Sequence, residues 1–321
     1  MSNTHIYKNS LKSKIVVGVD VGGTNIHLGL INPRGTIIAR THLVTKSCSC
    51  NKKELIRGIV ERIKILLSEN KYPLQSVAGI GIGLPGLIDP RKGLVKFLPN
   101  IPGWKDVPLK KILQEKTRLK TFLENDVNLI TLGEWCFGAG AGVQNMICMT
   151  LGTGVGGGFI LDGHLYRGEG FAAGEIGHIP INEEGPRCNC GGYGCLERTV
   201  GNRYLLQRVS QIFKKKMSLE DVYLLAQKGN RKALRFWEET ATHIGNGLTG
   251  VVNILNPPRI VIGGGVANAH TFLFKTIEKT IRKRAMRVQG KMFRIVKARL
   301  GNDAGLIGAR VLVLEELKAR A

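Results

Sequence analysis

Residues 174–197 read GEIGHIPINEEGPRCNCGGYGCLE. Three of the chain's seven cysteines, Cys188, Cys190 and Cys195, fall within eight residues, separated by glycine-rich turns, and His178 lies ten residues upstream. Four soft donors with turns that let them converge match a closed, tetrahedral Cys3His zinc site of the structural kind. Free thiols filling a core are the alternative, but a C-x-C and a C-x4-C set between glycines would pack a core poorly. A disulfide fits less well. The odd cysteine count and the polar opening residues, MSNTHIYKNSLKS, without an apolar h-region, lead us to expect a reducing, cytoplasmic setting.

Two carboxylates flank this knot, Glu175 before the histidine and Glu197 after the last cysteine. A zinc-bound imidazole keeps a second ring nitrogen pointing outward, which a hydroxylated ligand could partner, with the glutamates accepting from neighbouring hydroxyls. Both glutamates are equally readable as solvated loop charges.

Outward from the knot, the chain alternates strands and helices. Ile15–Asp20, Ile26–Ile31 and Thr36–Thr45 read as a β-meander, Glu54–Leu67 as an amphipathic helix, Val77–Leu84 as a buried strand, and Leu119–Leu123 as a strand leading to a helix from about Val127. The order strand, glycine turn, strand then recurs at Met146–Leu161, which predicts a duplicated α/β design. Helices are expected around Asn202–Phe213, Ser218–Gln227 and Lys232–Leu255, strands at Arg259–Ile262 and near Phe293–Ala298, and a last helix from about Asp303.

Glycine supplies 42 of 321 residues, almost twice the usual share of roughly 7%. Without a collagen period, that excess belongs to turns and close backbone approaches. In Asp20-Val-Gly-Gly-Thr-Asn25 the N–H groups of Gly22 and Gly23 and the hydroxyl of Thr24 could meet phosphate oxygens, and Asp20 could hold a magnesium-bound water. Gly152, Thr153 and Gly154 could clasp phosphates from a second turn, and Gly264, at a strand end, suits a nucleoside. The two G-x-G-x-x-G strings at Gly81 and Gly152 do not open helices, and no Walker lysine follows any glycine loop, so neither a dinucleotide fold nor a P-loop is expected. Asn125-Asp126 could be a base with its orienting amide, or simply a helix cap; from the residues alone the cap is the better reading.

The formal net charge is +23, and Lys275 to Arg299 holds ten Lys or Arg against one Glu. Such a surface attracts polyanions, but no aromatic residues are interleaved for base stacking, and we read it as a solvated surface without specific nucleic-acid binding. No run of about eighteen apolar residues occurs, so no membrane span is expected.

DVGGTN at 20–25, GLPG at 83–86, LPNIPGW at 98–104, ENDVN at 124–128, LGTGVGGG at 151–158, GEIGH at 174–178, CNCGGYGCLE at 188–197 and IVIGGG at 260–265 stand in the order found in ROK-family sugar kinases. The chain resembles that family from about Ile15 onward, and most of all its bacterial glucokinases. The resemblance implies an α/β, two-lobed, actin-like or hexokinase-type (ribonuclease H-like) ATPase fold with a structural zinc loop. The expected lobes are 14–130 with 308–321, and 131–307.

It further implies ATP-dependent phosphorylation of the glucose 6-hydroxyl with Mg2+, in a homodimer or homotetramer; N-acetylglucosamine or N-acetylmannosamine is the alternative substrate. Asp126 becomes the catalytic base, with sugar contacts from Asn100, Asn125, Glu175, His178 and Glu197. Zinc falls on His178, Cys188, Cys190 and Cys195, and ATP on Asp20, Gly22, Gly23, Thr24, Gly152, Thr153, Gly154 and Gly264. The family's repressors carry a winged helix-turn-helix ahead of the sugar lobe; about a dozen residues precede the first strand here, so a kinase is expected. Cys48 and Cys50, after His42, are not part of the pattern.

Overall fold

The computed structural model describes residues 14–23, 25–44, 52–99 and 103–319. Thr24, Asn100, Cys48 and Cys50 lie outside them. Two compact units emerge: one runs to Gln144 and takes in Phe159–Ala173 and the segment from Leu300, while the other comprises Asn145–Gly158 and Gly174–Arg299.

In the first unit, β1 (Ile15–Val21), β2 (Asn25–Ile31) and β3 (Ile37–Val44) form the expected meander. The helix α1 (Lys52–Glu69) leads to β4 (Val77–Leu84). A small antiparallel sheet of β5 (Leu87–Asp89), β6 (Leu94–Phe97) and β7 (Lys105–Val107), then the short amphipathic helix α2 (Leu109–Thr117), occupies a stretch to which the sequence reading assigned no element. These strands are only three or four residues long, too short for alternation to register. Next come β8 (Thr121–Asn125) and α3 (Asp126–Phe137). The main sheet has the order β3-β2-β1-β4-β8, with β4 and β8 parallel to β1 and the meander strands antiparallel.

The chain continues through β9 (Met146–Leu151), β10 (Val155–Leu161) and β11 (His164–Tyr166). After the cysteine-rich segment follow α4 (Asn202–Phe213), α5 (Leu219–Gln227), α6 (Arg231–Leu255), β12 (Arg259–Gly263), α7 (His270–Arg284) and β13 (Arg294–Lys297). The final helix, α8 (Ala304–Lys318), belongs to the first unit. The second sheet has the order β11-β10-β9-β12-β13. Three strands linked by turns followed by two parallel additions is the order of the first sheet again, so the duplication expected from the glycine hairpins is real. Among the described residues no helix is long and apolar enough to cross a membrane.

Strand periodicity decides what each face of the first sheet meets. Ile15, Val17, Val19 and Val21 join one core with Leu55, Ile59 and Ile63 of α1. The intervening Val16, Gly18 and Asp20 must then face the other way. There Leu306 of α8 lies against Gly18 and Gly305 against Asp20. From Ala304 to Leu314 every residue of α8 is buried, all apolar except Arg310, which donates to the Pro33 carbonyl. Its backbone packs close: a methyl group on Gly308 would stand 1.8 Å from the carbonyl oxygen of Leu129 in α3, and one on Gly81 of β4 would stand 2.4 Å from that of Ala309.

Gly308→Ala should therefore destabilise the protein by roughly 3 kcal/mol through forced separation of α8 from α3. Gly250, inside α6, is exposed and a methyl there would meet nothing within 4 Å, so Gly250→Ala should stabilise by about 0.5–1 kcal/mol. Urea denaturation of the two variants checks both signs; a Gly308→Ala variant as stable as the parent would refute the packing described.

Candidate active site and metal centre

Three parallel strands end side by side in the first unit. Asp20 of β1 pairs with Gly83 of β4, Gly83 with Glu124 of β8, and Leu84 with Asn125. Asp126 then opens α3. Asn125 caps that helix, its side-chain oxygen accepting from the N–H groups of Val127 at 2.9 Å and Asn128 at 3.2 Å. Its amide donates to the carbonyl of Gly86 at 3.2 Å, which leaves one N–H of the side chain for another partner. Asp126 accepts from Val127 N–H at 2.9 Å, so its carboxylate sits at the positive end of α3.

Asp20 lies close enough to Asp126 to feel its charge. Burial first, and then the Asp126 carboxylate, push Asp20 up from 3.8 to about 7. Gly305 makes this placement possible, since a methyl group there would stand 2.7 Å from Asp20 Oδ2. Two carboxylates held together at strand ends, one of them costly to ionise, have the charge that a divalent cation would compensate. The donor chemistry fits magnesium, which takes one or two protein carboxylates and keeps its waters.

Glu124 and Arg167 were missed by the sequence reading. Glu124 is buried; its Oε2 accepts from Arg167 Nε at 2.6 Å, while Oε1 accepts from Asn125 N–H and Asn128 Nδ2, both at 2.9 Å. This carboxylate therefore fixes the backbone from which Asn125 and Asp126 project. Its one sequence signal is a charge closing the apolar run TFLE.

In the second unit the turn Gly152–Gly154 closes through Gly152 N–H to the Gly154 carbonyl at 2.9 Å, and Asn202 N–H donates to the Gly152 carbonyl at 2.9 Å. The side of Gly152 where a Cβ would sit is open, as it is at Gly23 of the first unit. Gly264 has φ +86° and packs on β9, where a methyl would come within 2.3 Å of the Leu151 carbonyl. Gly264 and the Gly152–Gly154 turn thus lie at the ends of neighbouring strands.

The cysteine-rich segment folds back on itself. Bridges pair Pro180 with Cys195 and Arg187 with Tyr193, and Cys188 N–H donates to the Gly192 carbonyl at 2.7 Å. Gly194, at φ +60°, takes a left-handed turn so close to Asn182 that no side chain fits. The ligand atoms of His178, Cys188, Cys190 and Cys195 all lie within 4.8 Å of one another. Cys190 Sγ is 3.6 Å from Cys195 Sγ, and Cys188 Sγ is 3.6 Å from His178 Nδ1. A tetrahedron with zinc–sulfur bonds of about 2.3 Å has edges of about 3.7 Å. Burial and the neighbouring sulfurs push Cys195 up to about 12, so thiolates here need a cation among them. Donor set, spacing and closure all fit structural zinc.

His178 Nε2 turns outward, 3.8 Å from a carboxylate oxygen of the exposed Glu175. Glu197 is not a loop charge loose in solvent: its Oε2 accepts from Val155 N–H at 2.9 Å and lies against Gly154. Two residues beyond the last cysteine, it ties that knot to the Gly152–Gly154 turn. The first unit thus brings together Asp20, Asn125 and Asp126. The second unites Gly152, Thr153, Gly154 and Glu197, with Glu175 and His178 on the metal cluster.

These paired sheets define the class, an actin-like, two-lobed α/β fold of the kind found in ROK sugar kinases. The profile of the ROK family matches residues 16–316, and the chain belongs to that family. It is 38% identical to a glucokinase of Halalkalibacterium halodurans over 321 aligned positions, covering 94% of this chain and 95% of that protein. A xylose repressor of Bacillus spizizenii is 32% identical, over 95% of this chain and 78% of the repressor. The crystal structure of a ROK family glucokinase from Streptomyces griseus in complex with glucose and AMPPNP superposes with a TM-score of 0.77 at 30% identity, covering 93% of this chain and 98% of that one.

Two outcomes follow from these geometries. Because Asp20 is raised in the fold, the folded state keeps a proton that the unfolded chain loses between about pH 4 and 7, and stability from this group falls across that window. In magnesium-free buffer Asp20→Asn should match the parent near pH 4 and exceed its stability by roughly 2–4 kcal/mol at pH 8; a gap that does not change with pH would refute the assignment. For the metal centre, elemental analysis should find one zinc per chain, and Cys195→Ser should lose it and melt well below the parent. Zinc-free protein with an unchanged melting temperature would overturn the fit.

Proposed function

We propose that this protein is an ATP-dependent hexokinase that phosphorylates the 6-hydroxyl of glucose. The observation that carries the reading is the juxtaposition of Asp20 and Asp126 at the carboxyl ends of parallel strands, one carboxylate buried and the other at a helix start. Asp126 takes the proton of the 6-hydroxyl as that oxygen forms its bond to the γ-phosphorus and the bond to the ADP oxygen breaks. Asp20 is the residue that would hold a magnesium ion here, and the ion would supply positive charge against the phosphates. Gly22, Gly23, Thr24, Gly152, Thr153 and Gly154 cradle the phosphates, and Gly264 lies under the nucleoside.

Asn100, Asn125, Glu175, His178 and Glu197 hold the sugar. Zinc on His178, Cys188, Cys190 and Cys195 keeps the imidazole and its acidic neighbours rigid without entering the chemistry. The relatives named glucokinases support glucose over N-acetylglucosamine or N-acetylmannosamine, the alternative substrates. Those named xylose repressors mark the rival outcome, sugar binding without turnover.

A coupled assay for ADP release across glucose, mannose, xylose and the two N-acetylated sugars should give the highest kcat/KM on glucose. Asp126→Asn should lower kcat roughly a thousandfold, while calorimetry shows glucose still bound. Retained turnover in that variant rejects Asp126 as the base, and sugar binding without ADP release in the parent rejects the kinase.

A further inference from the structure

The four most exposed large apolar side chains among the described residues are Ile254, Val288, Met286 and Met292, at 81%, 67%, 65% and 58%. All four lie in the second unit, in one place. Met286 N–H donates to Asn253 Oδ1 at 2.9 Å, which fastens the segment after α7 to the end of α6 beside Ile254. That segment is itself tied: Gly290 N–H donates to the Met286 carbonyl at 2.8 Å, Lys291 N–H to that of Val288 at 3.1 Å, and Arg282 Nη1 to that of Gly290 at 2.7 Å. The result is a preformed apolar knob.

Cations alternate with it. Arg284, Arg287 and Lys291 are exposed between and beside the apolar residues, and all ten Lys and Arg of the segment from Lys275 to Arg299 face solvent. Its one carboxylate, Glu278, is engaged by Arg282 at 2.7 Å. Apolar patches ringed by one sign of charge mark contact surfaces, and here the partner must be anionic and must also accept alkyl groups.

Candidate partners separate on chemistry. A nucleic acid would want aromatic faces to stack on, yet the segment's single aromatic residue, Phe293, is buried beneath Arg282. A second copy of this chain would bring the same cations against these, and like charges oppose that pairing. An anionic bilayer satisfies both halves of the surface, since its headgroup layer takes short apolar insertions while its phosphates hold Lys and Arg.

We propose that this face of the second unit docks on anionic phospholipid, with Ile254 and the Met286–Met292 turn seated among the headgroups and the flanking Lys and Arg on lipid phosphates. The contact is peripheral and salt-sensitive.

The test is co-sedimentation of the full chain with vesicles of phosphatidylcholine alone or mixed equally with phosphatidylglycerol, in 0.15 M and 0.5 M salt. The parent should partition onto the mixed vesicles at least tenfold more strongly than onto the neutral ones, and less in high salt. The variant Ile254→Ser, Met286→Ser, Val288→Ser, Met292→Ser keeps every charge and should bind mixed vesicles at least tenfold more weakly, with an unchanged circular dichroism melt. Should that variant fold poorly, the pair Met286→Ser, Val288→Ser should still lose severalfold. A parent that ignores phosphatidylglycerol, or serine variants that bind as the parent does, would overturn the proposal, the second outcome reducing the surface to bare charge.

Discussion

Repulsion between two carboxylates at the ends of parallel strands is the constraint on which this structure turns. Ionising Asp20 beside Asp126 in a partly buried site costs stability, and a fold selected for stability alone would place Asn or Ser at one of them. The sequence instead spends glycines to crowd them: Gly83 between the two strands and Gly305 against Asp20 leave no side chain to separate the charges. The arrangement makes physical sense where positive charge is brought to it, as a divalent cation would do.

The last helix shows how that crowding is held. Its first turn packs on Gly18 and Asp20, and farther along its backbone meets α3 through Gly308 and β4 through Gly81. These are backbone contacts, which cannot relax by rotamer changes as side-chain packing can. The final residues of the chain therefore help to set the distance between side chains near residues 20 and 126, which explains why a helix so distant in sequence belongs to the first unit.

Most of the architecture was legible in the sequence because it rests on periodicity. Strands such as IVVGVD and VAGIGIGL, and helices such as Glu54–Leu67, bury regular patterns, and their ends shifted by only one or two residues. The meander's third strand and α6 behaved likewise. What escaped was aperiodic: the small sheet of β5, β6 and β7, made of strands too short to alternate, and the partners of single charged residues. Nothing local tells that Glu124 meets Arg167, 43 positions away. Nor does the sequence tell that Glu197 reaches back to Val155, or that the end of α6 meets the segment after α7 to form an apolar knob. The cysteine cluster was legible because its ligands are close in sequence and its turns carry glycine.

The two readings of Asn125-Asp126 turn out not to compete. A cap needs its side-chain oxygen directed at the first N–H groups of the helix, and Asn125 meets that need with Oδ1 alone. Its amide then points elsewhere, one N–H to Gly86 and one left over. Capping by Asn125 also fixes where α3 begins, and so where Asp126 stands relative to Asp20. Asp at the first helical position places its carboxylate where the helix dipole favours negative charge. Local helix chemistry thus supplies the orientation of both side chains, and a Ser or Thr cap would hold the helix equally well but leave no amide N–H free beside Asp126.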